Sequence, residues 1–112
     1  MLVDDRVGQI LLPDEKVIDE LRGELRLPTS TIEQCNGRLV ATNQRLIFLC
    51  EVREKPRQDT FPYKSIERIV IRNNFKNEPR VLFEADDEIQ MLQNIIDEQN
   101  VEPFIKNVQK YL

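Results

Sequence analysis

The chain reads as short runs of alternating apolar and polar residues, separated by turn-forming clusters and closed by one segment of helical period. Leu2, Val3, Val7, Ile10 and Leu11 recur at helical spacing until Pro13 stops the run, which predicts a short amphipathic helix over residues 1–12. Its apolar stripe must cover something, and the domain's own surface is the first expectation. From Val17 to Leu27 two periods compete. Val17, Ile18, Leu21 and Leu25 would line a helix, whereas Leu21, Gly23, Leu25 and Leu27 alternate as in a strand. A glycine in mid-run is poor in a helix and useful where a strand bends, so a strand over Asp19 to Leu27 is expected, followed by a Thr29-Ser30-Thr31 loop.

The stretch from Cys35 to Val52 is the most informative. A tight turn at Asn43-Gln44, or a four-residue loop over Thr42 to Arg45 because Gln44 suits positive φ poorly, makes Leu39 face Phe48 and Gly37 face Cys50. One face then holds Cys35, Gly37, Leu39, Ala41, Leu46, Phe48, Cys50 and Val52, all apolar or glycine, and the hairpin has a dry side. Both cysteines fall on that side as small hydrophobes; a disulfide is the less favoured alternative, since diagonal neighbours sit further apart than a bridge prefers. Thr42, Asn43 and Arg45 lie at the tip, where a structural role is expected: a special turn conformation for Asn43 and a cross-hairpin pairing of Thr42 with Arg45.

Glu51 to Asp59, with Arg53, Lys55, Pro56 and Arg57, reads as an exposed loop. Thr60 to Arg72 regains strand character through Ile66, Ile69, Val70 and Ile71, with Pro62 needing an edge or a bend. After a turn-rich link from Asn73 to Pro79, Arg80–Ala85 and Glu88–Asn94 read as two strands joined at Asp86-Asp87. Val101, Phe104, Ile105, Val108, Tyr111 and Leu112 form one apolar stripe, so a helix over residues 100–111 should lie across the strands, with Asn100 as its cap. An antiparallel series of strands with one terminal helix is a small barrel or sandwich whose open end needs a plug.

With 112 residues and 40% hydrophobic content the chain suits one domain, residues 1–112, with 1–12 as an N-terminal extension, 13–96 as the strands and 100–111 as the closing helix. It contains no His, only two Cys and three widely spaced Gly. Zinc fingers, Ser/His/Asp triads, Cys/His pairs and phosphate-cradling glycine loops are therefore not written in it. No enzyme activity, metal, cofactor or small-molecule substrate is expected. The apolar runs are far shorter than a membrane span, and the start lacks a signal peptide's basic residues, which makes the cytoplasm the expected compartment.

The net charge of -4 hides an uneven distribution. Residues 1–36 carry four basic and eight acidic groups, 37–83 carry ten and five, and 84–112 carry two and seven. Arg53, Lys55, Arg57, Lys64, Arg68 and Arg72, with Lys76 and Arg80 beyond them, could converge into a site for an anionic head group, a phosphopeptide or an acidic partner segment. The plainer reading is solvated strand faces paired with acids from the flanking thirds. Nucleic acid is not expected, because no basic stretch is interleaved with aromatics.

Three segments carry a family resemblance: Pro13-Asp14-Glu15-Lys16-Val17-Ile18, the hairpin Gly37-Arg38-Leu39-Val40-Ala41-Thr42-Asn43-Gln44-Arg45-Leu46-Ile47-Phe48, and Phe61-Pro62-Tyr63-Lys64-Ser65-Ile66-Glu67-Arg68-Ile69. Together they resemble the bacterial pleckstrin-homology-like (YokE-like) domains, and the hairpin resembles that of GRAM domains. Asp14 stands where that family commonly has glycine. The resemblance implies a mainly β fold, a seven-stranded, strongly bent antiparallel barrel capped by a C-terminal α-helix. It also implies a non-catalytic module that binds a protein segment, or itself, through incompletely closed strand edges, with peripheral attachment to anionic lipid as the alternative.

Overall fold

The computed structural model describes residue 8 and residues 10–26, 34–52 and 55–112. Seven strands, β1 (Val17–Arg26), β2 (Gln34–Thr42), β3 (Arg45–Val52), β4 (Lys55–Pro62), β5 (Ile66–Asn73), β6 (Pro79–Ala85) and β7 (Glu88–Gln93), precede one helix, α1 (Val101–Gln109). They form one antiparallel sheet in the order β4-β3-β2-β1-β7-β6-β5. The helix expected before Pro13 lies for most of its length outside the described residues and is not among the supported elements.

The β2–β3 register is the one the apolar pattern predicts, with Leu39 opposite Phe48 and Gly37 opposite Cys50. Slipping one strand by one residue would turn its core-facing side chains onto the other face of the sheet, so packing in the core holds the pairing. Leu39 and Phe48 are wholly buried. The opposite side of the hairpin is also dry: Val40, Ile47 and Leu49 are buried there, with Ile10 packed against them. A residue of the N-terminal segment thus docks on the domain's own surface.

β1 joins the two halves of the sheet. It pairs with β2 along its length and with β7 only over Glu24–Arg26. Gly23 stands just before that changeover, opposite Gly37. A Cβ there would lie 2.8 Å from the Gln93 carbonyl oxygen and 3.3 Å from Ile95 Cα, so the glycine permits the close approach at which the strand passes between partners.

The expected strand boundaries are corrected at two places. The loop predicted over Glu51 to Asp59 is strand from Lys55 onward, paired residue by residue with β3. Its inward positions are Arg57, Asp59 and Phe61, opposite Cys50, Phe48 and Leu46, and two charges on the core side erase the apolar alternation by which a strand is read. The strand predicted over Thr60 to Arg72 is two strands. Pro62 ends β4, a 3₁₀ turn at Tyr63–Ser65 follows, and β5 starts at Ile66 on the opposite end of the sheet.

α1 packs across β1 and β5 and buries Val101, Phe104, Ile105 and Val108 in the core. Each fully buried side chain of this size stabilises the fold by about 1.5–3 kcal/mol, and the helix would be marginal alone. Asn100 does not cap it as expected. Its side-chain amide donates to Asp19 Oδ1 at 2.8 Å, and the Asn107 amide donates to Asp19 Oδ2 at 3.3 Å, so the helix start is tied to β1 instead of to its own backbone.

Candidate interaction site

The Pro13–Lys16 segment is bound to the β2–β3 hairpin by side chains. Glu15, whose carboxylate is fully enclosed, accepts hydrogen bonds from Arg45 Nε at 2.8 Å and Nη2 at 2.9 Å, from the Thr42 hydroxyl at 2.7 Å and from the Leu12 amide at 2.8 Å. Arg45 also donates to the Ile10 carbonyl, and the Thr42 oxygen accepts the Gln44 and Arg45 amides. Burial pushes the Glu15 pKa up, but the hydrogen bonds from Arg45, Leu12 and Thr42, with the Arg45 charge, outweigh it and hold the carboxyl below its ordinary value.

Thr42 and Arg45 therefore have the structural roles expected, with one change. Asn43 has no left-handed backbone; its amide group instead donates to the Asp14 carbonyl and its Oδ1 accepts the Lys16 amide. The left-handed residue is Asp14, φ 63°, which is why glycine suits that position in the resembling family. Nearby, the Tyr63 hydroxyl donates to the Thr42 carbonyl and its ring stacks on Tyr111 at 5.4 Å. Burial, with Tyr111 and Glu15 close by, pushes the Tyr63 pKa well above the ordinary phenol value, so it remains a donor. Every group in this cluster is occupied by another, and its chemistry is fastening.

The two ends of the sheet are β4 and β5, each of which pairs with a strand on one side only among the described residues. They differ in kind. β4 contains Pro56, ends in Pro62 and turns the Arg57–Asp59 ion pair, 3.3 Å, toward the inside of the sheet. Prolines and inward charges are devices that block strand addition. β5 has no proline. Beside its end runs a cleft of about 530 Å³ lined by Ile71, Asn73, Asn77 and Pro79 on one wall and Glu98, Gln99, Val101, Glu102 and Pro103 on the other.

The predicted basic residues are divided by this topology. Arg68 and Arg72 lie on the outward face of β5, where the register sets Arg72 opposite Arg80 of β6. Lys64 is exposed in the 3₁₀ turn. Arg57 is on β4 at the opposite end of the sheet and faces inward, Lys55 begins that strand, and Arg53 lies outside the described residues. Among the described members of the basic run, Arg68 and Arg72 therefore share one sheet face, and Arg57 stands on a different strand. Nothing local in the sequence signals the cleft residues Glu98 and Glu102: they sit about 30 residues from β5 and meet it only when the C-terminal segment docks. Among the described residues no cluster of three or more His, Cys, Asp or Glu is arranged to hold a metal ion, and no helix is long and apolar enough to cross a membrane.

A bent seven-stranded antiparallel sheet closed by a C-terminal helix, with a groove between helix and edge strand, defines a pleckstrin-homology-like module. Solved structures agree on the fold. The Vps36 N-terminal PH domain superimposes with a TM-score of 0.70 at 16% identity, covering 91% of this chain and 82% of that one. The C-terminal domain of an unknown protein from Leishmania infantum gives 0.68 at 13%, covering 86% and 85%. The linker-DH/PH domains of p115-RhoGEF give 0.56 at 9%, covering 96% of this chain but 33% of that one. The Bacterial PH domain family model matches residues 11–110, and the chain belongs to that family. No curated protein matches it. PH-like folds commonly mediate protein or lipid interactions and are generally non-catalytic.

Proposed function

We propose that this chain is a non-catalytic interaction module that takes an extended protein segment, from another protein or from a second copy, along the open edge of β5. The observation that carries the reading is the asymmetry of the two sheet ends: β4 is guarded by prolines and inward charges, while β5 is bare and adjoins the cleft under α1. Unpaired N–H and C=O groups of an edge strand supply affinity, and the cleft walls supply selectivity. Glu98 and Glu102 are exposed on the helix wall and bias the groove toward basic side chains.

An oriented library of extended peptides, screened against the full chain, tests this. Selection of sequences that alternate apolar with Lys or Arg is the expected outcome. The double variant Glu98→Lys with Glu102→Lys, both surface changes that leave the core intact, should invert the charge preference. A library that shows no selection, or a selection that the double variant does not alter, would sink the proposal.

A further inference from the structure

The outward face of the β5–β6–β7 half carries a second polar arrangement that the edge reading does not use. Register places Val70, Leu82 and Met91 in one row across the three strands. On one side of that row stand Arg72 and Arg80, directly opposite each other; on the other stand Arg68, Glu84 and Ile89. Like charges directly opposite on one sheet face destabilise it. Among the described residues neither Arg72 nor Arg80 has a carboxylate within ion-pair distance; Arg80 reaches only the Arg72 carbonyl at 3.5 Å and Met91 Sδ at 3.6 Å. Ile89, at 57% exposed, borders a depression of about 120 Å³ lined also by Val70, Leu82, Arg68 and Arg72.

We propose that this face docks an acidic protein segment, with carboxylates set on the Arg72–Arg80 pair and an apolar side chain in the adjoining depression. Charge complementarity selects the occupant. The two arginines occupy facing positions, and among the described residues neither has a carboxylate within ion-pair distance, so a partner carboxylate set between them meets two cations. The face is also polarised. Glu84, opposite Arg68, and Glu67, whose pKa is raised by the neighbouring Glu84, place carboxyl groups at the Arg68 end. That end turns away a second carboxylate and fixes which way round the segment lies. Arg72 is two residues from Val70, about 6.6 Å at roughly 3.3 Å per residue, so acid and apolar side chains two apart in an extended partner match it.

The test is an NMR titration of the full chain with the capped peptide Asp-Asp-Ser-Leu-Ser-Lys, against Lys-Lys-Ser-Leu-Ser-Lys and phosphatidylglycerol vesicles. Expected are saturable amide shifts with the acidic peptide over 70–72, 80–82 and 89–91, weakened by salt, and none with the basic one. Arg80→Glu separates recognition from folding: it should weaken peptide binding about tenfold or more while raising Tm, because it turns a like-charge cross-strand pair into an opposite one. The proposal is overturned by the absence of saturable shifts at low salt, by equal binding of the Arg80→Glu variant, or by vesicles binding this face when the acidic peptide does not.

Discussion

Replacing Arg45 by alanine is expected to destabilise the fold by about 3–5 kcal/mol, a fall in Tm of more than about 10 °C for a domain of this size. The cost comes from what is left behind. Glu15 is enclosed, and without the guanidinium its carboxylate keeps only the Thr42 hydroxyl and the Leu12 amide. The double variant Arg45→Met with Glu15→Gln should recover much of the loss, since it removes the orphaned charge along with its partner. Because the folded state holds the Glu15 carboxyl below its ordinary value of 4.5, its contribution is fully present above that pH and disappears as pH falls through the lower folded value. Thermal melts between pH 7 and pH 3 should therefore show an acid loss in the native chain that is smaller in the double variant. A single-variant loss under about 1 kcal/mol would place Glu15 in solvent-like surroundings and refute the clamp.

Adding one methyl group, Gly37→Ala, is expected to cost about 3 kcal/mol, the upper end of the range for overpacking. The new Cβ would overlap the Leu49 carbonyl oxygen and come within 2.8 Å of Cys50 Cβ. The Leu49 oxygen is main chain of the facing strand, so no rotamer change relieves the clash and β2 and β3 must part locally. Urea denaturation measures the effect. A change below about 1 kcal/mol would mean that the two strands do not approach as closely as their register requires.

Legibility followed the source of each signal. The β2–β3 register could be read because apolar side chains alternate there with a dry face of its own, and the helix because its stripe spans two turns. β4 could not: Arg57 and Asp59 occupy inward positions at the open end of the sheet, where water still reaches them, so a strand was written in charged residues. Asn100 fits a cap by residue type, yet Asp19, eighty-one positions earlier, outcompeted the helix backbone for its amide. The basic run behaved similarly. Composition located it in the middle third, but strand order and register decide which members share a face: among the described residues Arg68, Arg72 and Arg80 do, and Arg57 stands on β4.

The chain alone determined the elements whose periodicity is local: most of the strands, the closing helix, and the family to which Glu15, Thr42, Asn43 and Arg45 point. Tertiary structure decided the rest. Which strand ends the sheet, which acid closes on Arg45, and which wall faces β5 all depend on contacts between distant residues. Local propensity is blind to such contacts, since their free energy appears only when the chain has already brought its ends together.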